Sequence, residues 1–506
     1  MLLNTHAGMI LIDDQNIDEA EKIFINGESF DIEERVPFIK NLESCDLLAV
    51  PGSGKTTALM AKLYCLGQHM TTDTNSSILV LSHTNKAVEE IESKLKKHCP
   101  HLFEYPNFIG TIQTFVNKFL ANQACFQNYG SYIRKNDDEV YENEVAKFYY
   151  SLRWSAKGAD TMNLVNKLYG LINRGKNGTF DEKKNNIHEF LRKFDYDIQN
   201  RKIIYQGQTI LKYGGVTESY FLELEKWKLS LFRSGLLNYR DSFNLGILNL
   251  EQNPGLKTIL QKRFKFVFID EMQDLERTQI DLIDEIFCSG SSKTIVQRIG
   301  DINQSIYNSG KSVKDNCDWV PRNQIYLTGS NRLTEEIANC VNFFTLDPQD
   351  DGNGIKRFVV KGLSKITNPI KPQLLVFNNA SKSKLLPKFE SLISQFDLLN
   401  TDSGKKNGFH ILSWSTEWAT DEQNESGSRI RLKDIFPDYS RESKQKKEDF
   451  DCLRKYLFLY DREKKTLEGI RKSILNALIR ILREEHIYQN TTPKNVLQKK
   501  RFNRIR

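Results

Sequence analysis

The chain has 506 residues, of which 39% are hydrophobic and 27% are charged. This balance supplies enough apolar side chains for packed cores and excludes a mostly disordered chain, and the length predicts roughly three domains. The net charge of +7 permits a nucleic-acid partner without requiring one, because a local basic groove matters more than the sum. No apolar run approaches the roughly 20 residues of a membrane-spanning helix, and the first residues lack a secretory signal. We therefore expect a soluble, cytoplasmic protein with no membrane partner.

Three short apolar runs, each bounded by turn residues, predict parallel strands that are buried on both faces. They are Leu47–Val50, Ile78–Leu81 and Phe266–Ile269. A stretch with helical periodicity follows each run, at 57–67, 86–97 and 278–287. The alternation of strand, loop and helix predicts a doubly wound α/β domain.

Residues 118–249 interrupt this pattern. They are rich in aromatic and charged residues, and their apolar positions mostly follow a helical period. This composition predicts a helical insertion that separates residues 1–117 from residues 250–325, the two parts of one α/β domain.

The remainder of the chain predicts further domains. Residues 326–382 are again α/β-like, with Leu374–Phe377 as their best strand. Residues 383–506 combine polar loops with a predicted helix near 467–485 and a basic tail. The first of these segments predicts a further α/β-like domain, and the last predicts polar loops that lead into a long helix.

The strongest motif lies between the first predicted strand and its helix, and it reads Ala49-Val50-Pro51-Gly52-Ser53-Gly54-Lys55-Thr56-Thr57. A glycine-rich turn at a helix N-terminus directs backbone N–H groups at phosphate oxygens, and the helix dipole favours the anion. Lys55 is predicted to reach the β- and γ-phosphates, and the Thr56 hydroxyl to hold Mg²⁺. A turn that only packs helix on strand is the alternative, and the strand–loop–helix context disfavours it. We expect ATP and Mg²⁺ as cofactors.

An acidic pair follows the strand-like run at 266–269, where the sequence continues as Asp270-Glu271-Met272-Gln273-Asp274. Asp270 is predicted to hold Mg²⁺, and Glu271 to polarise the attacking water. Such a pair alone often only caps the next helix. Together with a phosphate-binding loop upstream, it predicts nucleotide hydrolysis.

These two motifs and four further segments, all in one order within residues 47–337, resemble superfamily 1 DNA helicases of the UvrD/Rep type. The further segments are Ser82–Ala87, Gly110–Phe115, Arg298–Tyr307 and Leu327–Arg332. The resemblance implies two RecA-like domains, with ATP between them and single-stranded DNA across the top. The implied fold is α/β: a P-loop RecA-like motor domain with a helical insertion, followed by a partial second RecA-like domain with its own inserted segment.

The resemblance also implies roles for single residues. Gln304 would sense the γ-phosphate and couple it to DNA, and Arg332 would be a positively charged finger on the γ-phosphate. The residues implied to contact nucleic acid are His83, by stacking, Thr84, Asn85 and Thr111, through phosphates, and Tyr307, near a base. For Tyr307, core packing is an equally good alternative.

Several positions depart from the family pattern where its members contact the nucleotide base. Glu34 and Arg35 occupy the neighbourhood of the expected glutamine, Thr57 stands in place of an arginine, and Asn331 stands in place of a tyrosine. Their joint change predicts weak discrimination among nucleoside triphosphates.

The family's motifs V and VI are not found after Arg332. Because the second arginine finger of the family comes from motif VI, and one such arginine contributes several kcal/mol to phosphoryl transfer, we expect slow turnover by this chain alone. A shortened product, a chain completed by a partner, and a half that is dispensable all stay open.

The motifs and the departures from the family pattern leave two hypotheses about the function of the chain. The first is an ATP-dependent DNA helicase or translocase, stimulated by single-stranded or end-containing DNA. The second is a nucleotide-gated DNA-binding regulatory subunit that does not unwind. The second resembles the helicase-like component of Gabija-type bacterial antiviral systems, which works beside a partner nuclease. A plain P-loop kinase is disfavoured, because the other segments would have no role in it.

Overall fold

The computed structural model describes residues 11–70, 77–154, 170, 194–205, 208–214, 218–305, 319–345, 359–365, 370–378, 380–413 and 430–436. The chain divides into two compact units, residues 1–372 and residues 373–506. All but one of the predicted site residues lie in the described part of the first unit. The exception is Tyr307, which falls outside the described residues, as does the predicted helix near 467–485.

The described strands, in chain order, are β1 Cys45–Ala49, β2 Ser77–Ser82, β3 Phe108–Thr111, β4 Lys135–Asn136, β5 Phe194–Asp197, β6 Lys202–Tyr205, β7 Gln208–Lys212, β8 Leu236–Leu237, β9 Phe264–Asp270, β10 Ile295–Gly300, β11 Gln324–Leu327, β12 Gly329–Ser330 and β13 Lys361–Gly362. Six of them form one parallel sheet in the order β11-β1-β10-β9-β2-β3. The strand order is not the chain order, so helical crossovers connect the strands, as a doubly wound sheet requires.

The described helices are α1 Asp14–Phe24, α2 Arg35–Lys40, α3 Lys55–His69, α4 Asn85–Leu95, α5 Ile112–Val116, α6 Asn122–Tyr129, α7 Asp138–Trp154, α8 Glu218–Ser234, α9 Tyr239–Gln252, α10 Gly255–Arg263, α11 Arg277–Phe287, α12 Glu335–Asn342, α13 Leu385–Gln395, α14 Asp402–Asn407 and α15 Leu432–Ile435. The three strands and three helices predicted from periodicity are confirmed as β1, β2 and β9 and as α3, α4 and α11, with small shifts at their ends.

The central strands are buried because each of them faces a hydrophobic core on both sides. In β9, Val267 and Ile269 pack into one core, and Phe266 and Phe268 pack into the other. Successive side chains of a strand point to opposite faces, so a continuous apolar run supplies both cores. Each such side chain contributes about 1.5–3 kcal/mol through burial. The predicted α/β fold class is thereby confirmed.

The inserted region contains a feature that the sequence analysis missed. Strands β5, β6 and β7 form an antiparallel three-stranded sheet. Tyr196 and Ile203 of this sheet pack with Tyr141 of α7 and with Phe221 of α8. The prediction that this region is helical is therefore wrong for its middle part, where short strands carry too few residues to outweigh the helical period around them.

The strand predicted at Leu374–Phe377 is wrong. The backbone there forms no strand, and the side chains of Leu374 and Val376 are 87% and 85% exposed. An apolar run indicates a strand only where a neighbour can pair with it, and no described strand pairs with this one. The division into five segments at residues 117, 249, 325 and 382 stays a prediction.

Candidate nucleotide-binding site

The predicted site residues meet at one edge of the six-stranded sheet. The phosphate-binding loop follows β1, Asp270 ends β9, Gln304 follows β10, and Thr111 ends β3. The register places Ser82 beside both Asp270 and Thr111, and it places Leu48 beside Gly300. All these strands are parallel, so their carboxyl ends share one edge, which is where open α/β sheets bind ligands.

The loop at residues 50–54 has the backbone of an anion cradle. Gly52 and Gly54 lie in the left-handed region, with φ of 77° and 81°, and α3, with 15 residues, begins directly after them at Lys55. The Ser53 hydroxyl is buried and has no hydrogen-bond partner among the described residues. Glycine-rich turns at the start of a helix bind phosphate through backbone N–H groups. The loop fits the phosphates of a nucleotide.

The acidic pair lies directly opposite this loop. Lys55 Nζ contacts Glu271 Oε2 at 2.6 Å, and the Glu271 N–H donates to Asp270 Oδ1 at 2.9 Å. Burial raises the pKa of Asp270 to about 6, and the positive charge of Lys55 opposes this rise. A divalent cation or a lysine would stabilise the charged form of this carboxylate, so the environment of Asp270 suits a metal ligand.

A hydrogen-bonded chain continues from Glu271 to the residues after β10. Gln273 Nε2 donates to Glu271 Oε2 at 2.7 Å, and Gln273 Oε1 accepts from the Asp301 N–H at 2.9 Å. Gln304 Nε2 then donates to Asp301 Oδ2 at 2.9 Å. Burial raises the pKa of Asp301 to about 6. No role was predicted for Gln273 or Asp301 from the sequence; Gln273 closely follows the strand predicted at 266–269, whereas no strand was predicted before Asp301.

The segment that carries Arg332 packs tightly against the phosphate-binding loop. Ser330 Oγ donates to the Pro51 carbonyl at 2.7 Å, and the Asn331 N–H donates to the Gly52 carbonyl at 3.0 Å. A Cβ atom on Gly52 would lie 2.6 Å from Arg332 Cβ. The Arg332 side chain itself is exposed. The structure thus brings Arg332 next to the loop.

Glu34 and Arg35 join the same two segments, and we call this pair with its backbone partners the Glu34–Arg35 clamp. Glu34 Oε2 accepts from the Thr328 N–H at 2.7 Å and from the Gly329 N–H at 3.4 Å. The buried Arg35 guanidinium donates to the Ser53 carbonyl at 2.7 and 3.1 Å and to the Gly329 carbonyl at 3.0 Å. These side chains are therefore engaged with backbone.

The residues implied to contact DNA lie at the far side of this edge. The Thr84 hydroxyl accepts from the Ala87 N–H at 3.3 Å and caps α4, and the Thr111 hydroxyl accepts from the Thr114 N–H at 3.1 Å and caps α5. Asn85 is exposed. Burial lowers the pKa of the half-buried His83. Because both threonine hydroxyls already cap helices, their predicted role on DNA phosphates stays a prediction.

Within the described residues, no group of three or more His, Cys, Asp and Glu side chains could hold a metal ion. Mg²⁺ commonly binds through one or two protein ligands together with substrate phosphates, and the buried Asp270 carboxylate, close to Lys55, is compatible with such a shared site. The role of Thr56, in the first turn of α3, stays a prediction. Likewise, the described helices are all too short or too polar to span a membrane.

A parallel sheet with a phosphate-binding loop and an acidic pair at its carboxyl edge defines the P-loop nucleotide-binding proteins. Within that class, the family described as the UvrD/REP helicase N-terminal domain matches residues 34–317. This match covers more than half of the chain, and the chain belongs to that family. The predicted resemblance to UvrD/Rep-type helicases is confirmed.

The chain is similar to several curated proteins. It is 24% identical over 304 residues to the probable DNA helicase II homolog of Mycoplasma pneumoniae, covering 58% of this chain and 38% of that protein. It is 24% identical over 266 residues to the ATP-dependent DNA helicase Rep of Buchnera aphidicola subsp. Acyrthosiphon pisum, covering 52% and 36%. It is 22% identical over 306 residues to the ATP-dependent DNA helicase PcrA of Staphylococcus aureus, covering 58% and 37%. The similarity thus spans less than two fifths of each relative.

Proposed function

We propose that the chain is an ATP-dependent DNA helicase or translocase, which hydrolyses ATP with Mg²⁺ and couples hydrolysis to movement along single-stranded DNA. The observation that carries the proposal is the 2.6 Å contact between Lys55 Nζ and Glu271 Oε2, beside Asp270. A phosphate-binding lysine and a carboxylate that can orient water are within reach of each other there. The names of the relatives, all DNA helicases, support DNA as the substrate.

The proposed mechanism uses residues of this edge. Lys55 donates to phosphate oxygens; Thr56 and Asp270 would hold Mg²⁺, which would supply charge neutralisation at the phosphates. Phosphate oxygens compete with Glu271 for the Lys55 ammonium, so substrate binding frees Glu271 Oε2 to accept a proton from the attacking water. Arg332 donates to the γ-phosphate, where negative charge grows in the transition state.

Single-stranded or end-containing DNA is the proposed partner of the same edge. The N-terminus of α4, at Thr84 and Asn85, favours a phosphate through the positive end of the helix dipole. Thr111 ends the strand next to β2, and His83 offers a ring for stacking on a base. Gln304 lies in the hydrogen-bonded chain that leads back to Glu271, which supports its proposed coupling role.

The experiment that tests the proposal is ATP hydrolysis by the purified chain, with and without single-stranded DNA. We expect Lys55→Ala and Glu271→Gln each to lower hydrolysis by about 100-fold or more. Lys94→Ala removes an exposed lysine of α4, whose partner is Glu90 four residues away, and it is the matched control. Hydrolysis that persists at the wild-type rate in the Lys55 and Glu271 variants would contradict the proposal.

The alternative, a nucleotide-gated DNA-binding regulatory subunit that acts with a partner nuclease in antiviral defence, has one observation in its favour. The Glu34 carboxylate is engaged with the Thr328 and Gly329 backbone, which supports loose recognition of the nucleotide base. A strand-displacement assay separates the two functions. DNA binding that depends on nucleotide, without displacement at any ATP concentration, would favour the regulatory subunit.

A further inference from the structure

The Gln273 side chain is buried between the ends of β9 and β10. Its side chain is 1% exposed, and it uses both ends of its amide. Nε2 donates to Glu271 Oε2 at 2.7 Å, and Oε1 accepts from the Asp301 N–H at 2.9 Å. The Gln273 carbonyl accepts from Ser305 Oγ at 3.1 Å. A buried amide that is hydrogen-bonded at both ends is held in one orientation.

The neighbouring strand leaves room for this side chain. A Cβ atom on Gly300 would lie 2.4 Å from Gln273 Oε1 and 2.9 Å from Trp319 Cζ3. Only glycine therefore admits the Gln273 amide at this place. The Gln273 amide occupies the space that a side chain at residue 300 would fill.

Glu271 needs such support because its backbone is strained. Its φ is 55°, a left-handed conformation that non-glycine residues adopt at a cost and keep only when the surroundings hold them. Two donors converge on the same carboxylate oxygen, Lys55 Nζ at 2.6 Å and Gln273 Nε2 at 2.7 Å. When phosphates draw Lys55 away, the Gln273 amide is the donor that stays.

We propose that Gln273 is a positioning residue for Glu271, which it holds in place for the attacking water, and that it links Glu271 through Asp301 to Gln304. This inference rests on the proposed function, in which Glu271 accepts the proton. A neutral amide suits the task, because it donates to the carboxylate without adding a charge or taking its proton. Small errors in the position of a catalytic group cost large factors in rate.

The first test compares Gln273→Leu with Gln297→Leu. Gln297 is also buried in this sheet, and its Nε2 donates to the Asn41 and Glu43 carbonyls, so its variant is a matched control for the loss of a buried amide. We expect Gln273→Leu to lower kcat for ATP on the order of 10-fold or more while KM changes less than about threefold. The control keeps the wild-type kcat. Equal kcat in both variants would overturn the inference.

The second test reads the position of Glu271 without hydrolysis. A carbodiimide activates the Glu271 carboxyl and couples it to the Lys55 amine, and mass spectrometry quantifies the linked peptides. We expect the linked peptide in the wild type and in Gln297→Leu, and a yield several-fold lower in Gln273→Leu. Should Gln273→Leu fail to fold, Gln273→Glu keeps the size and the acceptor for Asp301, and the same loss is expected. Linkage in the wild type without hydrolysis would contradict the proposed function alone, whereas unchanged linkage in the Gln273 variants would overturn the positioning role.

Discussion

Two features of the structure require glycine at position 52, a left-handed backbone and a close approach of the Arg332 segment. Its φ of 77° lies in the left-handed region, and a Cβ atom there would lie 2.6 Å from Arg332 Cβ and 2.7 Å from Ser330 Oγ. The left-handed backbone costs a non-glycine residue about 1–2 kcal/mol. An added Cβ atom would also push the Arg332 segment away from the loop. We expect Gly52→Ala to lower the free energy of unfolding by more than about 2 kcal/mol and to weaken nucleotide binding.

Gly130 has the left-handed backbone without the close contact, so its variant is a control for the effect of the backbone alone. It has nearly the same φ, 75°, but a Cβ atom there would meet nothing within 4 Å. We expect Gly130→Ala to show only the conformational cost, about 1–2 kcal/mol, and to leave nucleotide binding unchanged. Urea denaturation and titration with a fluorescent ATP analogue measure both quantities. Equal effects of the two variants would show that the close approach of Arg332 to the loop carries no energy.

Lys62 acts between two elements, because it lies on α3 and holds the end of α2. Its Nζ donates to the Phe38 carbonyl at 2.7 Å and to the Asn41 carbonyl, and its side chain is fully buried. Burial lowers the pKa of Lys62 from 10.5 to about 7. Between these values the unfolded chain binds a proton on Lys62 that the folded chain does not, so the contribution of Lys62 to stability rises with pH across this window.

The measurable consequence is a pH-dependent difference between the wild type and Lys62→Met. From about pH 7 to about pH 9, we expect the difference in the free energy of unfolding to shift in favour of the wild type by up to about 1.4 kcal/mol per pH unit. The same difference for Lys94→Met, at an exposed lysine of α4, is expected to stay flat. A flat difference for Lys62→Met would mean that its amine stays charged when buried.

The parts of the site that could be predicted from the sequence are those in which the strand and its functional residues are adjacent in the chain. β1 with its loop and β9 with Asp270 and Glu271 are local patterns, and their apolar runs and turn residues are contiguous in the chain. The Gln273–Asp301 hydrogen bond joins β9 to β10 across 28 residues, and nothing in either segment alone indicates it. Sequence reasoning failed in the same way at β5–β7 and at Leu374–Phe377, because strand formation depends on neighbours that local periodicity does not reveal.

The first unit as a whole is joined near the site by contacts between distant parts of its chain. The Glu34–Arg35 clamp connects α2, the phosphate-binding loop and the segment before Arg332, and Glu34 and Thr328 are 294 residues apart. In the sequence, Glu34 and Arg35 stand out only as departures from a base-contacting pattern. Their side chains instead fix the backbone at Ser53 and Gly329, so they set the distance between the loop and Arg332.

Glu34→Gln tests this role with a minimal change. The amide keeps one acceptor but loses the charge and the second acceptor that now serve the Thr328 N–H and the Thr328 hydroxyl. Because a buried donor left without a partner costs about 1–3 kcal/mol, we expect the free energy of unfolding to fall by that amount. We also expect kcat for ATP to fall, since the segment before Arg332 loses contacts that fix its backbone at Thr328 and Gly329. Glu33→Gln, at the exposed neighbouring residue, should change neither quantity. If Glu34→Gln lowers stability while kcat stays at the wild-type value, the clamp stabilises the fold without positioning Arg332, and the arginine must reach the phosphate by another constraint.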